Sequence, residues 1–361
     1  MAKAAGSMML RGPALLLAAA LGAGCALSPP APVPAAAMPA AASNTVPGPA
    51  GALQTGVVLG RSERLLVYQP VAGETLASIA RRYLGDAKQA WQIAQANADT
   101  WVVEPGTPLV VPLRASNPLG VGAQGWQGVV VLAYHRLGAP ASKMTVTAER
   151  FEAQLEWLLA QHYQVLRLSD MQAFLAGKQA VPRKAVVLTF DDGYESVYRL
   201  AFPLLKKHGL PATVFVYTDF IGARDALSWA QIQEMQRSGL VDIQAHSKTH
   251  ANLVERSAGE GDAAYRQRLD TELRQARSVI ERNLAPLPVK VRQFAFPYGD
   301  ANAPVLDALQ RNGYELGLTV NAGSNPFYTW PLLLKRTMIL GDHDLNAFKA
   351  RVQPARAPMR P

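Results

Sequence analysis

From Gly128 onward, short apolar runs alternate with stretches whose apolar residues recur at helical spacing. Gly128–His135, Ala185–Thr189, Ala212–Val216, Val241–Ala245, Val291–Ala295 and Glu315–Val320 read as strands, several of them apolar enough to be buried on both faces. Between them, Glu149–Gln161, Leu168–Leu175, Val197–Lys207, Trp229–Ser238, Ala263–Asn283 and Ala303–Arg311 carry the period of helices. A repeated strand–helix order leaves little choice of architecture. It predicts an α/β fold with a parallel sheet, closed or nearly so, and helices packed outside it. Such sheets build functional sites beyond the carboxyl ends of their strands.

Two of those ends carry chemistry. Thr189-Phe190-Asp191-Asp192-Gly193 closes the run Ala185-Val186-Val187-Leu188, and His246-Ser247-Lys248-Thr249-His250 closes Val241–Ala245. Alone, Asp-Asp-Gly is commonly a turn, and a spaced histidine pair commonly packs on a surface. Together at strand ends they offer three ligands for a divalent metal and one spare carboxylate to act as a base. Hydrolysis by a metal-activated water needs that set. A further strand end carries Phe294-Ala295-Phe296-Pro297-Tyr298-Gly299, which by itself would read as a turn.

The three segments resemble the first three motifs of the polysaccharide deacetylases, carbohydrate esterase family 4 or the NodB-homology domain. The resemblance runs from about Gly128 to about Ala350. It implies a distorted (β/α) barrel that removes acetyl groups from N-acetylated sugars in glycans. The implied metal ligands are Asp192, His246 and His250; two imidazoles and one carboxylate suit zinc, and cobalt or nickel fit the same donors. Asp191 is the implied general base. The backbone N–H of Tyr298 is the implied oxyanion donor, since Pro297 has none to give.

Two positions depart from the family pattern. An arginine usually stands three residues before the tyrosine, and here that place is Ala295. Arg336 and Arg292 are the candidates to replace it, with Arg336 preferred. The general acid is also open. His135, in Tyr134-His135-Arg136, resembles the histidine of the poly-N-acetylglucosamine deacetylase branch and is preferred over the late His343. His162 and His208 lie away from strand ends and read as structural.

Ahead of this domain, residues 1–24 read as a secretion signal, with Lys3 and Arg11 before the apolar run Ala14–Leu21. The only cysteine of the chain, Cys25, follows it. Leu21-Gly22-Ala23-Gly24-Cys25 resembles a bacterial lipobox with its leucine displaced by one place, which implies a lipid anchor at Cys25. Ala26 after it implies the outer membrane, facing the periplasm. With one cysteine, no disulfide framework can form within the chain. Residues 25–64 are expected to be a tether, rich in Ala and Pro at its start.

Residues 65–113 form a small unit: a strand near Val67, the turn Gly73-Glu74-Thr75, then Leu76, Ile79, Ala80 and Tyr83 at helical spacing. Trp91, Ile93 and Ala94 mark a second helix ending near Asn97, and Leu109–Pro112 a closing strand. The pattern resembles a LysM domain, which implies a βααβ fold that binds N-acetylglucosamine-containing glycan. Residues 114–127 are expected to be a linker, 128–350 the deacetylase domain and 351–361 a tail.

The chain carries a net charge of +9. The small unit contributes none of the excess, with Arg81, Arg82 and Lys88 set against Glu74, Asp86, Asp99 and Glu104. No basic run interleaves with aromatics, so nucleic acid is not an expected partner. The expected substrate is a glycan containing N-acetylglucosamine. The LysM-like unit points to peptidoglycan; the Tyr-His-Arg start and Ala295 point to poly-N-acetylglucosamine. A competing reading is a glycan-binding wall anchor with a silent deacetylase domain. The intact set Asp191, Asp192, His246 and His250 argues against it.

Overall fold

The computed structural model describes residues 55–115, 117–122 and 125–353. The secretion signal, Cys25 and most of the expected tether lie outside these residues, as does most of the tail.

The small unit is a three-stranded antiparallel sheet with two helices. Its order is β1 (Val57–Arg61), β2 (Leu65–Gln69), β3 (Leu109–Pro112), with α1 (Leu76–Leu84) and α2 (Ala90–Ala96) between β2 and β3. β2 alternates as a half-buried strand should, with Leu66 and Tyr68 fully buried. A capping box starts α1: Ser78 N–H donates to Thr75 Oγ1 and Thr75 N–H to Ser78 Oγ. Asn97 ties α2 to β3, donating to the carbonyl of Val110 and accepting from its N–H.

The expected tether is corrected at its end. Residues 57–61 pair with β2 because their N–H and C=O groups complete its free edge. The expected linker is likewise not wholly irregular, since β4 (Val121–Gly122) and β5 (Gly125–Trp126) form a small hairpin.

The second domain is built on a nine-stranded sheet. β6 (Gly128–Tyr134), β9 (Gln164–Leu166), β10 (Ala185–Phe190), β11 (Ala212–Val216), β12 (Val241–Ala245), β13 (Gln293–Ala295) and β14 (Leu316–Leu318) are mutually parallel. β15 (Ser324–Pro326) runs antiparallel to β6, and β16 (Thr337–Met338) runs parallel to it. The segment leading into β16 also bridges Leu334 to Leu318 of β14. One segment therefore touches both flanks of the sheet and curls it into a distorted barrel. The short pair β7 (Arg136–Leu137) and β8 (Thr145–Val146) follows β6.

Every residue of β6 and β10 is buried, and their two faces meet different partners. Val130, Leu132, Val186 and Leu188 pack outward beneath the helices α3 (Ala148–Ala160), α5 (Phe202–His208), α6 (Trp229–Arg237), α7 (Asp262–Leu284) and α8 (Ala303–Arg311). Val129, Val131, Val187, Phe215, Ala295 and Leu334 point the other way, into the barrel. Met171 and Phe174 of α4 (Asp170–Leu175) join that inner cluster. The expected helix over 197–207 begins as a wide π turn at Val197–Ala201 before α5. The domain also runs past residue 350, because α9 (Leu345–Val352) buries Phe348 and Val352.

Candidate active site

The two-residue period of a strand aims the site. Val129 and Val131 face the barrel interior, so two and four residues further on Ala133 and His135 share that side. The same parity carries Val187 through Thr189 to Asp191. On β12 the interior positions run Asp242, Gln244, His246. On the segment that closes the barrel they run Leu334, Arg336, Met338. Four functional side chains thus reach one mouth from four places far apart in the chain.

Asp192, His246 and His250 bring their ligand atoms within 4.8 Å of one another. Asp192 Oδ1 lies 3.4 Å from His246 Nε2 and 3.3 Å from His250 Nε2. His246 Nδ1 sits 2.7 Å from the carbonyl of Ala295, a partner that fixes its proton on Nδ1 and leaves Nε2 as a free donor to a metal. Donor type, convergence and tautomer all fit a divalent cation. The three loops after β10, β12 and β13 are held in an uncommon shape: Asp192, Ser247, His250 and Tyr298 all have φ between +61° and +73°. Such backbone values in non-glycine residues concentrate at functional sites.

Asp191 is 2% exposed and its carboxylate is gripped by a fully buried arginine. Arg336 Nη1 donates to Asp191 Oδ1 at 2.6 Å and Nη2 to Oδ2 at 2.7 Å. Its Nε donates to the carbonyl of Thr319 at 2.9 Å, so the fork is held from behind. Burial pushes the Asp191 carboxyl up, but the Arg336 guanidinium, helped by His246 and His135, overcomes it and holds Asp191 below the usual carboxylate range. His135 Nε2 lies 4.0 Å from Asp191 Oδ2. Burial lowers the His135 pKa most, and the nearby Asp191 and Asp192 charges oppose that shift.

His135, Asp191, Asp192, His246 and His250 open onto a pocket of about 300 Å³, whose wall Tyr298 completes. The Tyr298 ring stands edge-on to His250, 4.9 Å between ring centres. The next residue, Gly299, has φ +81°, and a Cβ there would come within 2.7 Å of the Val320 backbone nitrogen. Only glycine lets these two segments meet.

Of the two candidate arginines, Arg336 is at the site; Arg292 is paired with Glu315 at the surface. Of the two candidate acids, His135 lines the pocket, whereas His343 accepts from the N–H of Leu340 in its own turn. His162 stacks on Trp101 of the small unit, ring centres 4.7 Å apart. His208 lies near Glu152 and Glu156, away from strand ends, and Lys207 already pairs with Glu152 at 2.5 Å. Sequence reasoning missed Met144, Tyr194, Val320 and Met338 as lining residues. Tyr194 had a signal, since it directly follows the Asp-Asp-Gly turn. The other three come from loops and the closing strand, which carry none.

A curled parallel barrel with an aspartate and two histidines converging at its mouth, beside an arginine-clamped aspartate, is the arrangement that the resemblance to the NodB-type deacetylases implies. Residues 178–317 match the family model described as polysaccharide deacetylase, and the chain carries that domain. The chain is 29% identical over 181 residues to the poly-beta-1,6-N-acetyl-D-glucosamine N-deacetylase of Staphylococcus epidermidis, covering 49% of this chain and 61% of that one. It therefore spans less than two thirds of that relative's length. Among solved structures, IcaB from Ammonifex degensii superposes with a TM-score of 0.56 at 29% identity, covering 65% of this chain and 99% of that one. The Streptococcus pyogenes deacetylase PplD in complex with acetate gives 0.56 at 26% identity, covering 63% and 99%.

Proposed function

We propose that the protein is a metal-dependent N-deacetylase of an N-acetylglucosamine polymer in the cell envelope. The observation that carries this reading is the pairing of two aspartates with opposite duties. Asp192 faces the two imidazoles, while its neighbour Asp191 is turned inward to Arg336. A divalent ion at Asp192, His246 and His250, zinc by donor type, would supply an activated water and polarise the acyl oxygen.

The protein's own groups supply the rest. Asp191 accepts a proton from the attacking water at a carboxylate oxygen, and the Arg336 fork keeps it ionised and correctly turned. His135, reaching in from the end of β6, delivers a proton to the amine nitrogen as the acetamide C–N bond breaks. Acetate and a free amino sugar result. Tyr298 provides a backbone N–H toward the developing oxyanion, and its ring borders the entrance.

The name of the Staphylococcus relative favours poly-β-1,6-N-acetylglucosamine as substrate. The two-helix, sheet-backed small unit favours peptidoglycan, because its resemblance is to LysM. On this reading the small unit holds the enzyme on glycan and Cys25 carries a lipid anchor; Cys25 lies outside the described residues. No helix among the described residues is long and apolar enough to cross a membrane.

The deciding experiment is acetate release by the purified protein from both polymers, with and without a chelator. Release from either polymer that chelation abolishes and Zn²⁺ restores supports the reading. Release that is indifferent to metal, or none from either polymer, defeats it.

A further inference from the structure

Glu272 is a carboxylate on α7 that the deacetylation chemistry does not use, and it is only 7% exposed. It makes three hydrogen bonds, all to one short segment. Its Oε2 accepts from the N–H of Lys248 at 2.9 Å and of Thr249 at 3.0 Å, and its Oε1 from the Thr249 hydroxyl at 2.9 Å. Lys248 and Thr249 stand between His246 and His250. The Lys248 ammonium turns away to Asp219 at 2.5 Å, so Glu272 binds the loop backbone rather than that charge.

The loop requires such a hold. Ser247 and His250 have φ of +70° and +63°, values that non-glycine residues adopt at a strain cost. Ser247 Oγ accepts from His250 N–H at 2.9 Å, which closes the loop on itself, and the carbonyls of Ser247 and Lys248 accept from the N–H groups of Thr218 and Asp219, just beyond β11, at 3.4 and 3.0 Å. His246 is fixed by β12 and by the Ala295 carbonyl. His250, four residues on, has no strand beneath it. Glu272 joins the loop to the longest helix packed on β12.

We infer that Glu272 is a positioning residue for the metal site: it sets where His250 stands, so that its Nε2 meets that of His246 at Asp192. The inference rests on the metal-dependent reading above and adds to it a residue on an outer helix.

The test is Zn²⁺ affinity of the folded, metal-stripped protein, measured by competition with a chromophoric chelator. Glu272→Ala is expected to weaken binding by roughly 10- to 100-fold, the usual loss when a partner behind the ligands is removed. Glu272→Gln is expected to restore most of it, because the amide oxygen accepts both N–H groups and the NH₂ donates to Thr249. Thr249→Val, which removes one of the three bonds, should give a smaller loss in the same direction and serves if Glu272→Ala does not fold. Ile280→Ala, buried on the same helix, should lower the melting temperature without changing affinity. Amide exchange in metal-free protein should show Lys248 and Thr249 losing protection in Glu272→Ala. Unchanged affinity in folded Glu272→Ala, or an equal loss in Ile280→Ala, would overturn the inference while leaving the deacetylase reading intact. Failure of the unaltered protein to bind Zn²⁺ would overturn both.

Discussion

Arg336→Met removes the charge that Asp191 faces and keeps much of the side-chain length. In the native protein Arg336 is fully buried and Asp191 is 2% exposed, with two bonds of 2.6 and 2.7 Å between them. Removing one partner of a buried pair strands the other, at about 3–5 kcal/mol. Loss of the bond to the Thr319 carbonyl adds about 1 kcal/mol. Against a domain stability of about 5–15 kcal/mol, that is a large fraction.

The pH dependence has a definite sign. In the native protein the Asp191 pKa is depressed, so its stabilisation is present above the unfolded value and is lost as pH falls through the folded value. In the variant, burial acts without the arginine and the folded pKa rises above the unfolded one. The variant is then penalised increasingly as pH rises. The stability gap should be widest near neutrality and should narrow toward about pH 4, where the stranded carboxyl is protonated.

The assay is urea unfolding in the presence of chelator at several pH values, for Arg336→Met, Asp191→Asn and the double variant. The double variant should recover much of the loss, because no buried charge is left alone. A neutral-pH loss below about 1 kcal/mol, or strict additivity in the cycle, would refute the stranded-charge reasoning.

Three further outcomes follow from the same geometry. Asp191→Asn should keep its metal by elemental analysis and lose roughly 10²- to 10⁴-fold in turnover, since the base goes while the ligand set stays; near-normal turnover with metal bound would place the base elsewhere. Asp242, on the inner face of β12, is pushed up to about 6 by burial, against the hydrogen bond from Gln244. Its charged form therefore destabilises the fold increasingly as pH rises through that value, so Asp242→Asn should raise stability at neutral pH by at most about 3 kcal/mol and make no difference below about pH 4, read by unfolding at both. Deleting residues 55–113, β1 included, should spare acetate release from short soluble oligomers and reduce it on insoluble glycan. An equal loss on both would mean that the small unit supports the catalytic fold.

The sequence by itself determined the parallel architecture, because apolar runs alternating with helical spacing admit few other arrangements. It also placed Asp191, Asp192 and His246 at strand ends, and strand parity then aimed Asp191 and His246 inward. These facts are local: each depends on residues within one element and its turn. The small unit's helices were legible for the same reason, through the turn Gly73-Glu74-Thr75 and the apolar spacing of α1.

Tertiary structure decided what depends on closure. Arg336 lies far along the chain from Asp191, and nothing local to either residue records that they meet. Their contact exists because the segment from Leu334 to Met338 bridges β14 to β6 and carries every second side chain inward. That closure separated Arg336 from Arg292, put His135 and not His343 in the pocket, and made walls of Met144, Val320 and Met338. It also gave residues 57–61 an edge to pair with, a property of β2 and not of their own composition. A local pattern shows which way a side chain points; only the packing of distant elements shows what it meets there.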